Sequence, residues 1–75
     1  MNNARRARLE SVKSSIEELV AEVIDVMDLE QEALDNLPEK LQKTERGDAM
    51  QDAIDNLESA ISALEEAQEN IEAVL

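Results

Sequence analysis

The sequence predicts an all-α fold: an antiparallel two-helix hairpin, coiled-coil-like, that dimerises into a four-helix bundle. Apolar residues recur at alternating spacings of three and four in two long segments, which is the repeat of a helix seam. The only proline and the only glycine, Pro38 and Gly47, lie between those segments. This connection is too short to join long helices that run in the same direction, so the helices are predicted to be antiparallel.

The first helix is predicted from about residue 4 to residue 36. Its seam residues are Leu9, Val12, Ile16, Leu19, Val23 and Val26. The residues that widen this seam on one side are Val20, Met27 and Leu34. Glu30 occupies the next seam position and weakens the pattern there. Pro38 disfavours helical geometry at Leu37, so we expect the helix to end just before it.

Residues 37 to 47 form the predicted linker, within a single domain that covers residues 1 to 75. Pro38 is expected to open a short helical turn, and Leu41 to fold back from it onto the seam. Either Thr44 or Asp48 can cap the second helix. Asp48 and Gln51 have the spacing of a capping box.

The second helix is predicted from about residue 48 to residue 74. The residues that recur every seven positions are Met50, Leu57, Leu64 and Ile71, with Ile54, Ile61 and Leu75 on one side. The intervening seam positions hold Ala53, Ala60, Ala67 and Val74. Because small side chains let a neighbouring helix approach closely, we expect a tight helix–helix contact along this alanine line.

The apolar content predicts self-association. Apart from Met1 the chain has 21 Val, Ile, Leu and Met side chains and ten alanines, and it has no aromatic residue. A lone hairpin cannot bury all of these side chains, so a homodimer is expected. The predicted oligomer seam consists of Ile16, Leu19, Val23, Met50, Ala53, Leu57, Ala60, Leu64, Ala67 and Ile71.

The charge is unevenly distributed, with a net charge of −12 on 75 residues. All seven basic residues lie within two clusters, Arg5–Lys13 and Lys40–Arg46. The acidic ridge predicted opposite the seam of the second helix consists of Asp48, Asp52, Asp55, Glu58, Glu66, Glu69 and Glu72. This ridge is either a solvated face or an imitation of nucleic-acid phosphates that binds a protein with a basic surface.

The basic clusters have a structural interpretation. Arg5, Arg6 and Arg8 are expected beside the acidic end of the second helix, where they neutralise it. Direct nucleic-acid binding at either basic cluster is not expected, because the chain has no aromatic side chain on which a base could stack.

Composition excludes the common kinds of catalytic site. The chain has no His, Cys, Tyr or Trp, and so lacks the usual general bases and thiolate nucleophiles. No cofactor or metal is predicted, since the Glu-x-x-His pairs of a bundle di-metal site cannot form without histidine. The segment from Asp25 to Glu32 also lacks the glycine of a calcium loop. We therefore expect a protein that is not an enzyme.

No membrane association is expected. The longest apolar stretch, Leu19–Leu29, is interrupted by Glu22, Asp25 and Asp28. No apolar run of a secretory signal follows the N-terminal arginines, so the expected location is cytoplasmic.

Part of the chain resembles a known group of proteins. The residues concerned are Glu30-Gln-Glu-Ala-Leu-Asp-Asn-Leu-Pro-Glu-Lys-Leu-Gln, Thr44-Glu-Arg-Gly, Met50 and Ala53-Ile-Asp-Asn-Leu-Glu-Ser-Ala-Ile. They resemble short acidic helical-hairpin proteins of unknown function that phages and prophages of Gram-positive bacteria encode. The resemblance covers a little under half of the chain. It implies a phage setting in the host cytoplasm and supplies no catalytic residues.

Two functions follow as hypotheses. The first is a non-enzymatic protein–protein interaction module: a phage-type inhibitor that binds a basic groove of a host nucleic-acid-handling or defence protein in the manner of a DNA mimic. The second is a structural or assembly adaptor that acts through its apolar helical seam, with acidic faces that serve only solubility.

Overall fold

The computed structural model describes all 75 residues and contains three helices: α1 (Asn3–Asp35), α2 (Glu39–Gln42) and α3 (Glu45–Ala73). α1 and α3 pack side by side in opposite directions, and α2 lies at the turn between them. The Cα atoms form a rod that extends 58 × 15 × 11 Å along its three principal axes. The predicted all-α class and the hairpin are confirmed.

The helix ends follow from local hydrogen bonds. The Asn2 side chain accepts a hydrogen bond from the Arg5 backbone N–H at 2.9 Å and so caps α1. α3 begins at Glu45, earlier than the expected start near residue 48, and Thr44 is its N-cap residue. The Gln51 side chain donates to Asp55 at 3.0 Å, within the helix. The capping-box interpretation of Asp48 and Gln51 is therefore wrong.

The turn contains the expected short helix, but its packing differs from the expectation. Pro38 precedes α2 as its N-cap residue. Leu41 is exposed and does not fold back onto the seam, whereas Leu37 and Gln42 are half-buried. The Gln42 side-chain amide donates to the Leu37 carbonyl oxygen at 2.9 Å. This hydrogen bond holds α2 against the end of α1. The α2 backbone at Gln42 then packs directly against Gly47.

The hairpin core is a single layer formed by two lines of residues on each helix, described here by the heptad letters a and d. On α1 the a line is Lys13, Val20, Met27 and Leu34, and the d line is Leu9, Ile16, Val23, Glu30 and Leu37. On α3 the a line is Gly47, Ile54, Ile61, Gln68 and Leu75, and the d line is Met50, Leu57, Leu64 and Ile71. All of these residues are buried or half-buried.

The seam is rotated relative to the expectation. The apolar spacing of the sequence predicts a seam centred on the d line, with the adjacent g line beside it. The g line is Val12, Leu19, Val26 and Ala33 on α1, and Ala53, Ala60, Ala67 and Val74 on α3. Every one of these residues is exposed except half-buried Ala53.

The alanine line therefore makes no tight contact inside the hairpin, and side-chain size explains why. Packing on the a side buries Ile54, which is 4% exposed, and Ile61. Packing on the g side would have buried alanine in their place. Each buried methylene group contributes about 0.8 kcal/mol, so the isoleucine side removes more apolar surface from water.

Substitution of Gly47 by alanine tests the close approach of α2 to α3. A Cβ atom at Gly47 would overlap the Gln42 carbonyl group and would lie 2.8 Å from the Gln42 Cα atom. Alanine favours a helix by about 1 kcal/mol over glycine, but displacing packed backbone costs about 1–3 kcal/mol. We expect Gly47→Ala to lower the free energy of unfolding, measured by urea denaturation and circular dichroism.

The matched control is Ala49→Gly, at an exposed position in the same turn of α3. It should cost about 1 kcal/mol through helix propensity alone. A Gly47→Ala variant more stable than the wild-type chain would mean that the Gln42 backbone does not constrain this position.

Candidate interaction surfaces

The a/d packing leaves the hairpin with two long edges of different chemistry. One edge carries the residues of the e line: Glu10, Glu17, Ile24 and Gln31 on α1, and Gln51, Glu58, Glu65 and Glu72 on α3. Two contacts join the helices there. Gln68 donates to the Glu17 carboxylate at 2.8 Å, and Lys13 forms an ion pair with Glu72 at 3.6 Å. We call this side the acidic edge.

The opposite edge is apolar and uncovered. In an antiparallel pair that packs through a and d, the g lines of both helices fall on the same side, away from the e lines. This open apolar face consists of Val12, Leu19, Val26, Ala33, Ala53, Ala60, Ala67 and Val74. Leu19 is 48% exposed and Val26 is 55% exposed. Leu29, at the border of the face, is 65% exposed.

The cross-helix contacts set which residues share a height on the rod. In both the Glu17–Gln68 and the Lys13–Glu72 contact the residue numbers add to 85. Leu19 therefore lies level with Ala67 to within one residue, and Val26 lies level with Ala60. The open apolar face thus has a raised side of large residues on α1 and a low side of alanines on α3.

A groove extends this face at the N-terminal end of α1. It has a volume of about 320 Å³ and is lined by Met1, Arg5, Arg8, Leu9 and Val12. Three of the lining residues are apolar, and the other two carry guanidinium groups. Because the numbers of level residues add to 85, Val74 of α3 lies level with Val12 in this groove, to within one residue.

The predicted acidic ridge is present as an exposed surface. All seven of its residues are exposed, and only Glu72 forms an ion pair. Arg5, Arg6 and Arg8 form no ion pair, so the expected neutralisation by these arginines is not seen. Lys13, further along α1, makes the one ion pair of the chain.

The predicted oligomer seam divides between two surfaces. Six of its residues form the core inside the hairpin: Ile16, Val23, Met50, Leu57, Leu64 and Ile71. The other four, Leu19, Ala53, Ala60 and Ala67, lie on the open apolar face. The residues of this face that were not assigned to an oligomer contact are Val12, Val26, Ala33 and Val74. Three adjacent apolar lines on each helix were the signal that could have identified them.

Two further properties of the surface are negative findings. No group of three or more acidic side chains is placed so as to hold a metal ion. None of the three helices combines the length and the apolar content that crossing a bilayer requires.

Comparison with known proteins adds no relative. No family model, no curated protein and no solved structure matches this chain. The surfaces themselves are therefore the basis for any functional conclusion.

The response of stability to salt tests the charge distribution. The chain has 19 acidic and seven basic side chains, and only one ion pair forms. Raising the NaCl concentration from about 0.01 M to about 0.15 M shortens the Debye length from about 30 Å to about 8 Å and screens repulsion among the acids. If screening contributes about 1 kcal/mol, the melting temperature should rise by about 4–8 °C.

A variant with Asp52→Asn, Glu58→Gln and Glu66→Gln serves as the control, because these three exposed carboxylates make no ion pair. Its melting temperature should rise less over the same salt range. A wild-type melting temperature that falls with salt would show that attractive ion pairs dominate.

Proposed function

We propose that this protein is a non-enzymatic protein–protein interaction module that acts as a structural or assembly adaptor through its open apolar face. The single observation that carries the proposal is the exposure of Val12, Leu19 and Val26 in one line. These residues lie beside the exposed alanines of α3. Scattered apolar side chains are ordinary on a protein surface, but a continuous apolar face rimmed by polar residues is typical of an interaction site.

Helix geometry supports this proposal. Each long helix has three adjacent apolar lines, g, d and a, whereas two lines suffice for a hairpin. A helix with a wider apolar arc is suited to contact two neighbours at once. The hairpin supplies one neighbour, and the arrangement of the g lines provides for a second.

The residue inventory supports the non-enzymatic part of the proposal. No histidine, cysteine or tyrosine is present, and the carboxylates are spread over exposed faces. The groove at Val12 is lined in part by arginine and contains no carboxylate among its lining residues. Neither the exposed carboxylate faces nor the groove at Val12 brings an acid and a base together around an enclosed space.

A second candidate function rests on the acidic ridge. Six of its seven carboxylates, all but Glu72, make no ion pair and are free to meet cations of another molecule. In this version the chain is a phage-type inhibitor whose ridge occupies a basic groove of a host nucleic-acid-handling or defence protein. Electrostatic steering would speed the encounter, and salt would weaken it.

Co-purification distinguishes the two candidates. Tagged and untagged chains are expressed together in bacterial cells, and every protein retained on the tagged chain is identified by mass spectrometry. Leu19→Glu and Ala60→Leu change the open apolar face by adding charge and bulk, respectively. We expect both substitutions to reduce retention at least about tenfold, because an unpaired carboxylate or an added isobutyl group costs at least about 1–3 kcal/mol in an apolar contact.

The control variant reverses four charges of the acidic ridge: Asp52→Lys, Asp55→Lys, Glu66→Lys and Glu69→Lys. Under the adaptor proposal this variant retains the same proteins as the wild-type chain, at low and moderate salt alike. Loss of retention in the charge-reversed variant, with Leu19→Glu unaffected, would refute the adaptor proposal and favour the inhibitor.

A further inference from the structure

We propose that the occupant of the open apolar face is a second copy of this chain, placed by a two-fold axis parallel to the helices so that α1 of each copy packs on α3 of the other. The inference rests on the proposed function, because it names the partner of the same face. It also fixes the arrangement of the four helices and their register.

The surface area of the chain supports a partner of this size. The accessible surface is 5563 Å², whereas a compact monomer of 8.4 kDa exposes about 4,600 Å². The face from Val12 to Ala33 is about 32 Å long, at about 1.5 Å per residue, and about 20 Å wide across two helices. Its area of roughly 600 Å² approaches the roughly 800 Å² that each partner of a standard interface buries.

Symmetry determines the register of the contact. A two-fold axis parallel to the helices leaves the height of every residue unchanged. Each α1 residue of one copy therefore meets the α3 residue of the partner that shares its height. Because the numbers of level residues add to 85, Leu19 is paired with the partner's Ala67 and Val26 with the partner's Ala60, to within one residue. No adjustable shift along the rod remains.

This register places large side chains against small ones. Leu19 and Val26 on the raised side of the face meet alanines on the low side of the partner, and the reciprocal contacts are identical. The two hairpins can then lie parallel at one spacing along the whole face. The other two-fold arrangement, with α1 on α1 and α3 on α3, would place Leu and Val together at one side and alanines at the other. It would wedge the hairpins apart along α1.

The groove at the N-terminal end of α1 fits the same arrangement. Because Val12 and Val74 share a height to within one residue, the partner's Val74 is placed over the groove lined by Leu9 and Val12. The last turn of α3 has no basic residue. Arg5 and Arg8 of the other copy are positioned to supply positive charge beside that helix C-terminus, which its dipole favours.

The net charge of −12 on each copy determines how salt affects the contact. Glu22 lies on the line next to the face, and Glu18, Asp25 and Glu32 on α1 and Asp52 and Glu66 on α3 lie one line farther away. Bringing two copies together brings these like charges closer. Self-association should therefore strengthen with salt, the opposite of binding between the acidic ridge and a basic protein.

Sedimentation equilibrium of the purified full chain tests the dimer. We expect a mass of twice the 8.4 kDa of one chain, with a dissociation constant that decreases as NaCl increases. Leu19→Glu should raise the dissociation constant more than about 100-fold, because each dimer would bury two unpaired carboxylates. Circular dichroism should show that the variant remains helical.

Ile24→Glu is the matched control. Ile24 also lies on α1 and is 37% exposed, but it belongs to the acidic edge on the other side of the hairpin. The same added carboxylate there should change the dissociation constant less than about threefold. An equal effect of Leu19→Glu and Ile24→Glu would overturn the assignment of the dimer contact to the open apolar face.

Cross-linking tests the arrangement of the helices. The chain has no cysteine, so single introduced thiols are unambiguous. Val26→Cys and Ala60→Cys chains are mixed in urea, refolded together and treated with a short thiol cross-linker. We expect the mixed product to dominate, because Val26 of one copy faces the partner's Ala60. A preference for cross-linking Val26→Cys to Leu19→Cys chains would overturn this arrangement in favour of α1 on α1.

Failure of this inference is distinguishable from failure of the proposed function. A wild-type chain that sediments as a monomer over the whole concentration range excludes the second copy as occupant. If Leu19→Glu then still abolishes retention of a foreign protein, the adaptor proposal stands with another partner. If no substitution on the open apolar face changes any association, both proposals are excluded.

Discussion

Each long helix carries three adjacent apolar lines, and a hairpin of two helices can bury only two of them. The remaining architecture follows from which line is left out. Packing selects the a line because it includes Ile54 and Ile61, and it leaves the g line with its alanines outside. The open apolar face is therefore a direct consequence of how the core forms.

The existence, direction and approximate length of the helices could be predicted from the sequence, since heptad spacing and the position of Pro38 depend on local patterns. The rotation of the seam could not be predicted in the same way. Both d+a and d+g are continuous apolar stripes, and only the relative size of Ile61 and Ala60 across the contact decides between them. The sequence also allowed two starting points for α3, because Thr44 and Asp48 are both suitable N-cap residues; the structure has Thr44.

The position of the acidic ridge could be predicted from the sequence, whereas the contacts of the basic residues could not. The acidic ridge lies where the charge pattern placed it, because outward positions follow from helix period alone. The contacts expected between Arg5, Arg6 and Arg8 and the acidic end of α3 could not be predicted correctly, because the pairing of exposed charged side chains depends on small differences in energy. With one ion pair at 3.6 Å, direct pairing of charges contributes little to the stability of this fold.

The single-layer core has a further consequence for motion. In a rod 58 Å long and 15 Å wide, each core side chain contacts only neighbours at similar heights, so separation of the helices can begin at one end without disturbing the other. The α2 end is fastened by Gln42 and by close packing at Gly47, with Leu34 and Ile54 buried nearby. The opposite end has half-buried Leu9 and Ile71 and two solvent-exposed polar contacts, Lys13–Glu72 and Gln68–Glu17. Amide hydrogen exchange should therefore slow progressively along the rod toward α2, so that a free hairpin frays from its open end.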